Sequence, residues 1–148
     1  MRTTGKIRKY IYSITLFFIA LSGFAQMPVF KRYYIADIPG LGWLAKFYVT
    51  HIIHYIAAIV LIAFVIYVLF DFIFNKSGLN TITHTGYFKI LLLAGLIVSG
   101  LLMVVKNLPN IYFNHNAIIF LDLFHLIFCM ILLGVSLYSL VKKKSWVS

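Results

Sequence analysis

Four stretches of this chain are almost wholly apolar, and short polar connectors separate them. The first, Tyr10 to Ala25, follows a basic head carrying Arg2, Lys6, Arg8 and Lys9. The second runs from about Gly42 to Phe74, the third from Ile90 to Val105, and the fourth from Ala117 to Val141, stopped by Lys142-Lys143-Lys144. Since about 20 apolar residues cross the hydrocarbon core as a helix, each stretch predicts one crossing. The second is longer than a crossing requires, so its first turns should project beyond the bilayer. The predicted fold is an all-α integral membrane four-helix bundle, a single membrane domain over residues 1–148, with helices near 10–25, 42–74, 90–105 and 117–141.

The connectors fit that plan. Gln26 to Lys46 holds Pro28, Pro39, Gly40 and Gly42 with Tyr33, Tyr34 and Trp43, a composition suited to the headgroup layer and an aromatic belt. Asn75 to Lys89 reads as a polar turn holding His84, and Lys106 to Asn116 as a turn around Pro109. No sequence repeat and no low-complexity segment stands out. The basic head, short apolar core and small-residue end Ser22-Gly23-Phe24-Ala25 also have the layout of a secretory signal peptide. A full set of spans around the later histidines requires the segment to stay, so it is expected to be an uncleaved first helix.

Composition strengthens the membrane assignment. Apolar residues make up 63% of the chain, only three residues are acidic, and the mean hydropathy is +1.00, far outside the range of soluble domains. A net charge of +10 would suggest nucleic acid in a soluble protein, but here the cations sit at the ends of apolar runs, as interface anchors do, so no nucleic-acid partner is expected and lipid is. Four Lys and Arg at the N-terminus, two in the Asn75 turn (Lys76, Lys89) and three at the C-terminus put nine on one side, against four in the Gln26 and Lys106 connectors (Lys31, Arg32, Lys46, Lys106). The positive-inside rule then places both termini in the cytoplasm. A bacterial inner membrane is the expected location. Cys129 is the single cysteine, so there is no disulfide framework, CxxC pair or CxxCH haem-attachment site.

The chemistry gathers at Thr50-His51-Ile52-Ile53-His54-Tyr55-Ile56-Ala57-Ala58, which runs into the apolar stretch Ile59 to Phe70. A polar group in hydrocarbon without a partner costs several kcal/mol, and an ionisable residue there defaults to a functional hypothesis with a named partner. A neutral imidazole is a good axial ligand for haem iron. Helical spacing puts His51 and His54 on one face, one turn apart. On the fourth helix His125 lies eight residues past Ala117, roughly 12 Å along a helix that runs the same way as the second. His54 and His125 therefore reach comparable depth in the outer half. His51 lies nearer the outer water, His115 lies in the connector, and His84 is on the opposite side.

A flat porphyrin needs small neighbours, and the outer halves offer Ser22 and Gly23, Ala57 and Ala58, and Ser99 and Gly100. Small residues also let membrane helices approach one another, so part of this set belongs to ordinary packing. Asp122, one turn before His125, is expected to be buried in apolar surroundings. Three roles compete for it: orienting a ligating imidazole, relaying protons for a quinone, or bonding a hydroxyl such as that of Tyr55. Asp71 reads as an interfacial residue.

In these features the chain resembles the four-helix b-type cytochrome subunits that anchor formate dehydrogenases, hydrogenases and related molybdenum enzymes. The residues that carry the resemblance are Leu21-Ser22-Gly23 closing the first helix, His51 and His54 opening the second, Ser99-Gly100 closing the third, and His125 in the fourth. The resemblance implies an outer haem b between His54 and His125, with Gly23, Ala58 and Gly100 beside it. It implies an inner haem too, but Arg8-Lys9-Tyr10-Ile11-Tyr12-Ser13 and Gly134-Val135-Ser136-Leu137-Tyr138-Ser139 contain no histidine where those ligands would lie. One haem is expected. The alternatives are His51 as the iron ligand, or His51 binding a propionate, a quinone, or a second haem with His115.

No nucleophile–base pair, phosphate loop, paired carboxylates or cysteine cluster is present, so catalysis on a substrate is not expected. The family implies single-electron transfer between a periplasmic partner, an iron–sulfur or cytochrome subunit, and membrane quinone. The competing reading is a haem-free subunit that anchors or assembles a larger complex. A small transporter would call for internal repeats or discontinuous helices, and neither is evident.

Overall fold

The computed structural model describes residues 2–27, 37–74 and 82–142. Its long elements are four α-helices: α1 (Arg2–Ala25), α2 (Phe47–Phe74), α3 (His84–Val105) and α4 (His115–Val141). No strand occurs among the described residues. All four helices are long and apolar enough to cross a membrane, which makes a multi-pass membrane protein the class the chain fits. It forms two compact units, Met1–Asn75 and Lys76–Ser148, each a helical hairpin.

In the first unit α1 packs against α2, and a one-turn 3-10 helix, Gly42–Ala45, touches both. This turn places Leu44, which is fully buried. The helix expected from Gly42 is therefore broken: Lys46 is extended (φ −84°, ψ 98°), and its N–H closes the 3-10 turn on Trp43 O before α2 begins at Phe47. Even so α2 has 28 residues, about 42 Å at 1.5 Å each. Toward the far end of the hairpin the Arg8 guanidinium on α1 meets Asp71 Oδ2 on α2 at 2.7 Å and donates to Tyr67 Oη at 3.1 Å. α1 begins at Arg2 rather than near Tyr10; Lys6, Arg8 and Lys9, good helix formers, carry the helix past the apolar run, and it continues through Thr3, Thr4 and Gly5.

In the second unit α3 packs against α4. α3 starts six residues before the expected Ile90, at a cap: Thr83 Oγ1 accepts from Gly86 N at 3.1 Å. α4 starts likewise at an Asn114 cap, whose Oδ1 accepts from Asn116 N at 3.2 Å. The turn between them is made with Asn110 at φ 67°, a left-handed conformation that asparagine tolerates. Lys89, counted above as an anchor in a loop, lies within α3 and is 2% exposed. Without it the basic bias stands at eight against four. Of the other residues in that count, Lys31, Arg32, Lys76, Lys143 and Lys144 lie outside the described residues, as do Tyr33 and Tyr34 of the expected aromatic belt. Large apolar side chains cover the outer faces of the helices, among them Phe17, Ile59, Leu91, Phe120 and Leu137, as hydrocarbon contact requires.

In the second hairpin Gly95 of α3 lies against the Phe128 ring of α4. A Cβ there would stand 2.5 Å from Phe128 Cε1, and the Phe128 ring is itself stacked on Phe124 with centroids 4.0 Å apart. Gly95→Ala should therefore destabilise the protein by about 1–3 kcal/mol through overpacking. Gly134→Ala, whose Cβ would meet nothing within 4 Å, should be neutral or stabilising, and unfolding in mixed micelles measures both.

Candidate functional site

Each hairpin holds one imidazole against a Ser-Gly pair on its neighbouring helix. In the first, Ser22 and Gly23 occupy the last turn of α1 and His54 the second turn of α2. His54 Nδ1 lies 3.0 Å from Ile19 O and 3.2 Å from Ser22 Oγ. A carbonyl oxygen only accepts, so Nδ1 carries the proton. The hydroxyl agrees: Ser22 Oγ gives its one hydrogen to its own helix, at Phe18 O (2.6 Å) and Ile19 O (3.2 Å), and is left to accept from the ring. The neutral ring then carries its lone pair on Nε2.

The second hairpin reaches the same state by a shorter route. Ser99 Oγ lies 3.1 Å from Leu96 O and 2.8 Å from His125 Nδ1; with its one hydrogen given to Leu96 O, it accepts from Nδ1–H. Both serines are buried, and both histidines are half-buried. A Cβ on Gly23 would stand 3.1 Å from His54 Cε1, and one on Gly100 3.6 Å from His125 Cε1. The two glycines expected to make room for a porphyrin thus lie against the imidazole rings. Ala58 is half-buried one turn beyond His54 on the same helix.

The remaining sequence candidates are differently placed. The His51 ring stands edge-on to Tyr55 with centroids 4.3 Å apart and tilted against Phe47 at 5.1 Å. Its Nδ1 is buried and has no hydrogen-bond partner among the described residues. His84 and His115 are exposed first residues of α3 and α4. Asp122 is not buried: its side chain is 48% exposed and is held in an ion pair with Lys106 Nζ at 2.8 Å. Lys106, which caps the C-terminus of α3, is a partner the sequence did not suggest. No cluster of three or more His, Cys, Asp or Glu able to hold a metal ion occurs among the described residues. A haem iron asks for less, since its porphyrin supplies four ligands and the chain one or two.

The two serines are what sequence reading missed, having taken them only as small residues. The signal was present: a Ser-Gly pair closes the first helix of each hairpin and a histidine follows in the early turns of the second. No family model, no curated protein and no solved structure matches the chain. The glycine distances carry a difference between the hairpins. Gly23→Ala must push the His54 ring by a few tenths of an ångström and should cost about 1 kcal/mol, while Gly100→Ala adds an ordinary contact and should be tolerated. Thermal unfolding and the ring resonances of the two histidines distinguish these outcomes.

Proposed function

We propose that the protein is the b-type cytochrome subunit of a membrane-bound respiratory oxidoreductase, in which His54 and His125 are the residues that would hold one haem. The observation that carries this reading is the tautomer. In each hairpin Nδ1–H is tied to an oxygen of the protein, so the lone pair sits on Nε2, and the ring is oriented by a neighbour as metal-ligating imidazoles usually are. His54 is favoured over His51 because it shares this arrangement with His125, whereas His51 Nδ1 is buried among aromatic rings. A bound haem b supplies one-electron exchange at iron. The chain's part is to hold two oriented imidazoles in apolar surroundings, which sets how easily the iron is reduced.

The bundle lies in the bacterial inner membrane with both termini cytoplasmic, and the α1–α2 and α3–α4 connectors face outward. Electrons pass between a periplasmic iron–sulfur or cytochrome partner and membrane quinone, which meets the complex near the outer face. Asp122, ion-paired and exposed three residues before His125, is suited to proton exchange for that quinone. The same two hydrogen bonds fit a second reading, a haem-free anchor or assembly subunit in which each imidazole only ties two helices together.

A reduced-minus-oxidised spectrum of the purified protein or its complex decides between the two. A b-type spectrum is expected, lost in His54→Ala and His125→Ala and retained in His51→Ala and His84→Ala. A spectrum absent from the wild type leaves the anchor reading. A reporter fused at Ser148 that is active only in the cytoplasm should be active, and activity of a periplasm-dependent reporter there would overturn the orientation.

A further inference from the structure

The two imidazole latches look alike but do not depend on their serines equally. Among the described residues, His54 Nδ1–H is placed against Ile19 O at 3.0 Å and Ser22 Oγ at 3.2 Å, the carbonyl being the nearer, and His125 Nδ1–H against Ser99 Oγ at 2.8 Å. A carbonyl can only accept, so it imposes Nδ1–H unaided. A hydroxyl can donate or accept, and it imposes Nδ1–H only because its proton is spent elsewhere, here on Leu96 O.

We infer that Ser99 is a positioning residue that sets the tautomer of His125, while the Ile19 carbonyl, and not Ser22, sets that of His54. Removing the Ser99 hydroxyl leaves Nδ1–H of the half-buried ring facing α3 without its acceptor, and an unmet donor there is costly. A neutral histidine free of such constraints favours Nε2–H. The His125 proton therefore moves to Nε2 and the lone pair turns to Nδ1, which faces α3. Removing the Ser22 hydroxyl leaves His54 on its carbonyl, with Nε2 still a base. The consequence for iron rests on the haem reading above; the tautomer assignment does not.

The test uses the full chain in lipid nanodiscs with 15N-labelled histidine, as wild type, Ser99→Ala, Ser99→Thr, Ser99→Cys and Ser22→Ala. In the wild type both rings should show a protonated, pyrrole-type Nδ1. Ser99→Ala should convert His125 to a majority with pyridine-type Nδ1. Ser99→Cys, which keeps the volume but offers a weak sulfur acceptor, should do the same, and Ser99→Thr should restore the wild-type signal. Ser22→Ala should leave His54 unchanged. Where haem is bound, Ser99→Ala should weaken its retention by about 10-fold or more, the usual consequence of losing a residue that orients a ligand, with Ser22→Ala staying close to wild type. A His125 that keeps Nδ1–H in both Ser99→Ala and Ser99→Cys overturns the inference, as does a His54 that changes in Ser22→Ala. Absence of haem from the wild type overturns the cytochrome reading alone, because the nitrogen resonances still report the tautomers.

Discussion

A serine hydroxyl has one hydrogen, and in both hairpins it lies within reach of a carbonyl on its own helix, beside the Nδ1 of a histidine on the next. Inside a bilayer there is no water to meet a stray donor, so a buried polar group gains by closing its hydrogen bonds within the chain. Ser22, Thr50, Ser99 and Ser139 all do this on their own helices, donating to a carbonyl three or four residues back. At Thr50 and Ser139 the effect ends there. At Ser22 and Ser99 the same back-bond turns the hydroxyl oxygen toward the neighbouring helix as an acceptor, and an imidazole uses it.

The glycines follow from that geometry. The residue beside each serine lies against the ring: a Cβ on Gly23 would crowd His54, whereas one on Gly100 would only touch His125, so the first hairpin is the tighter of the two. The small-residue approach common in membrane helices here serves a ring rather than a second backbone. It also explains why one arrangement recurs in two hairpins whose sequences show no repeat. What recurs is a contact of three residues, far too few to register as similarity along the chain.

The fold was largely legible in the sequence because hydrocarbon imposes length and apolarity together, and four stretches met both. Helix beginnings were less so. The first turn of α3, His84-Thr85-Gly86, is polar and looks like loop by hydropathy, while the cap that starts the helix is a single hydroxyl on Thr83. His54 and His125 stood out because an imidazole in an apolar run is costly without a partner. Their serines did not, because serine is cheap on a membrane helix and gives no hint of where its hydrogen points. Asp122 misled for the converse reason: position along a helix gives depth but not facing, and Lys106, sixteen residues earlier, meets it across the hairpin turn.

The far end of the first hairpin holds an ion pair near the beginning of α1. Here Arg8 occupies that region and is fixed by Asp71 at 2.7 Å and by Tyr67, with its guanidinium also 5.2 Å from the Tyr67 ring centre. The Arg8 guanidinium thus has a carboxylate partner and an aromatic face, while its Nε is buried without a hydrogen-bond partner among the described residues. This ion pair joins the two helices at their far end, as the imidazole latch joins them near the connector. Arg8, Asp71 and Tyr67 are suited to holding α1 on α2, which lets Ile19 O and Ser22 keep their positions against His54.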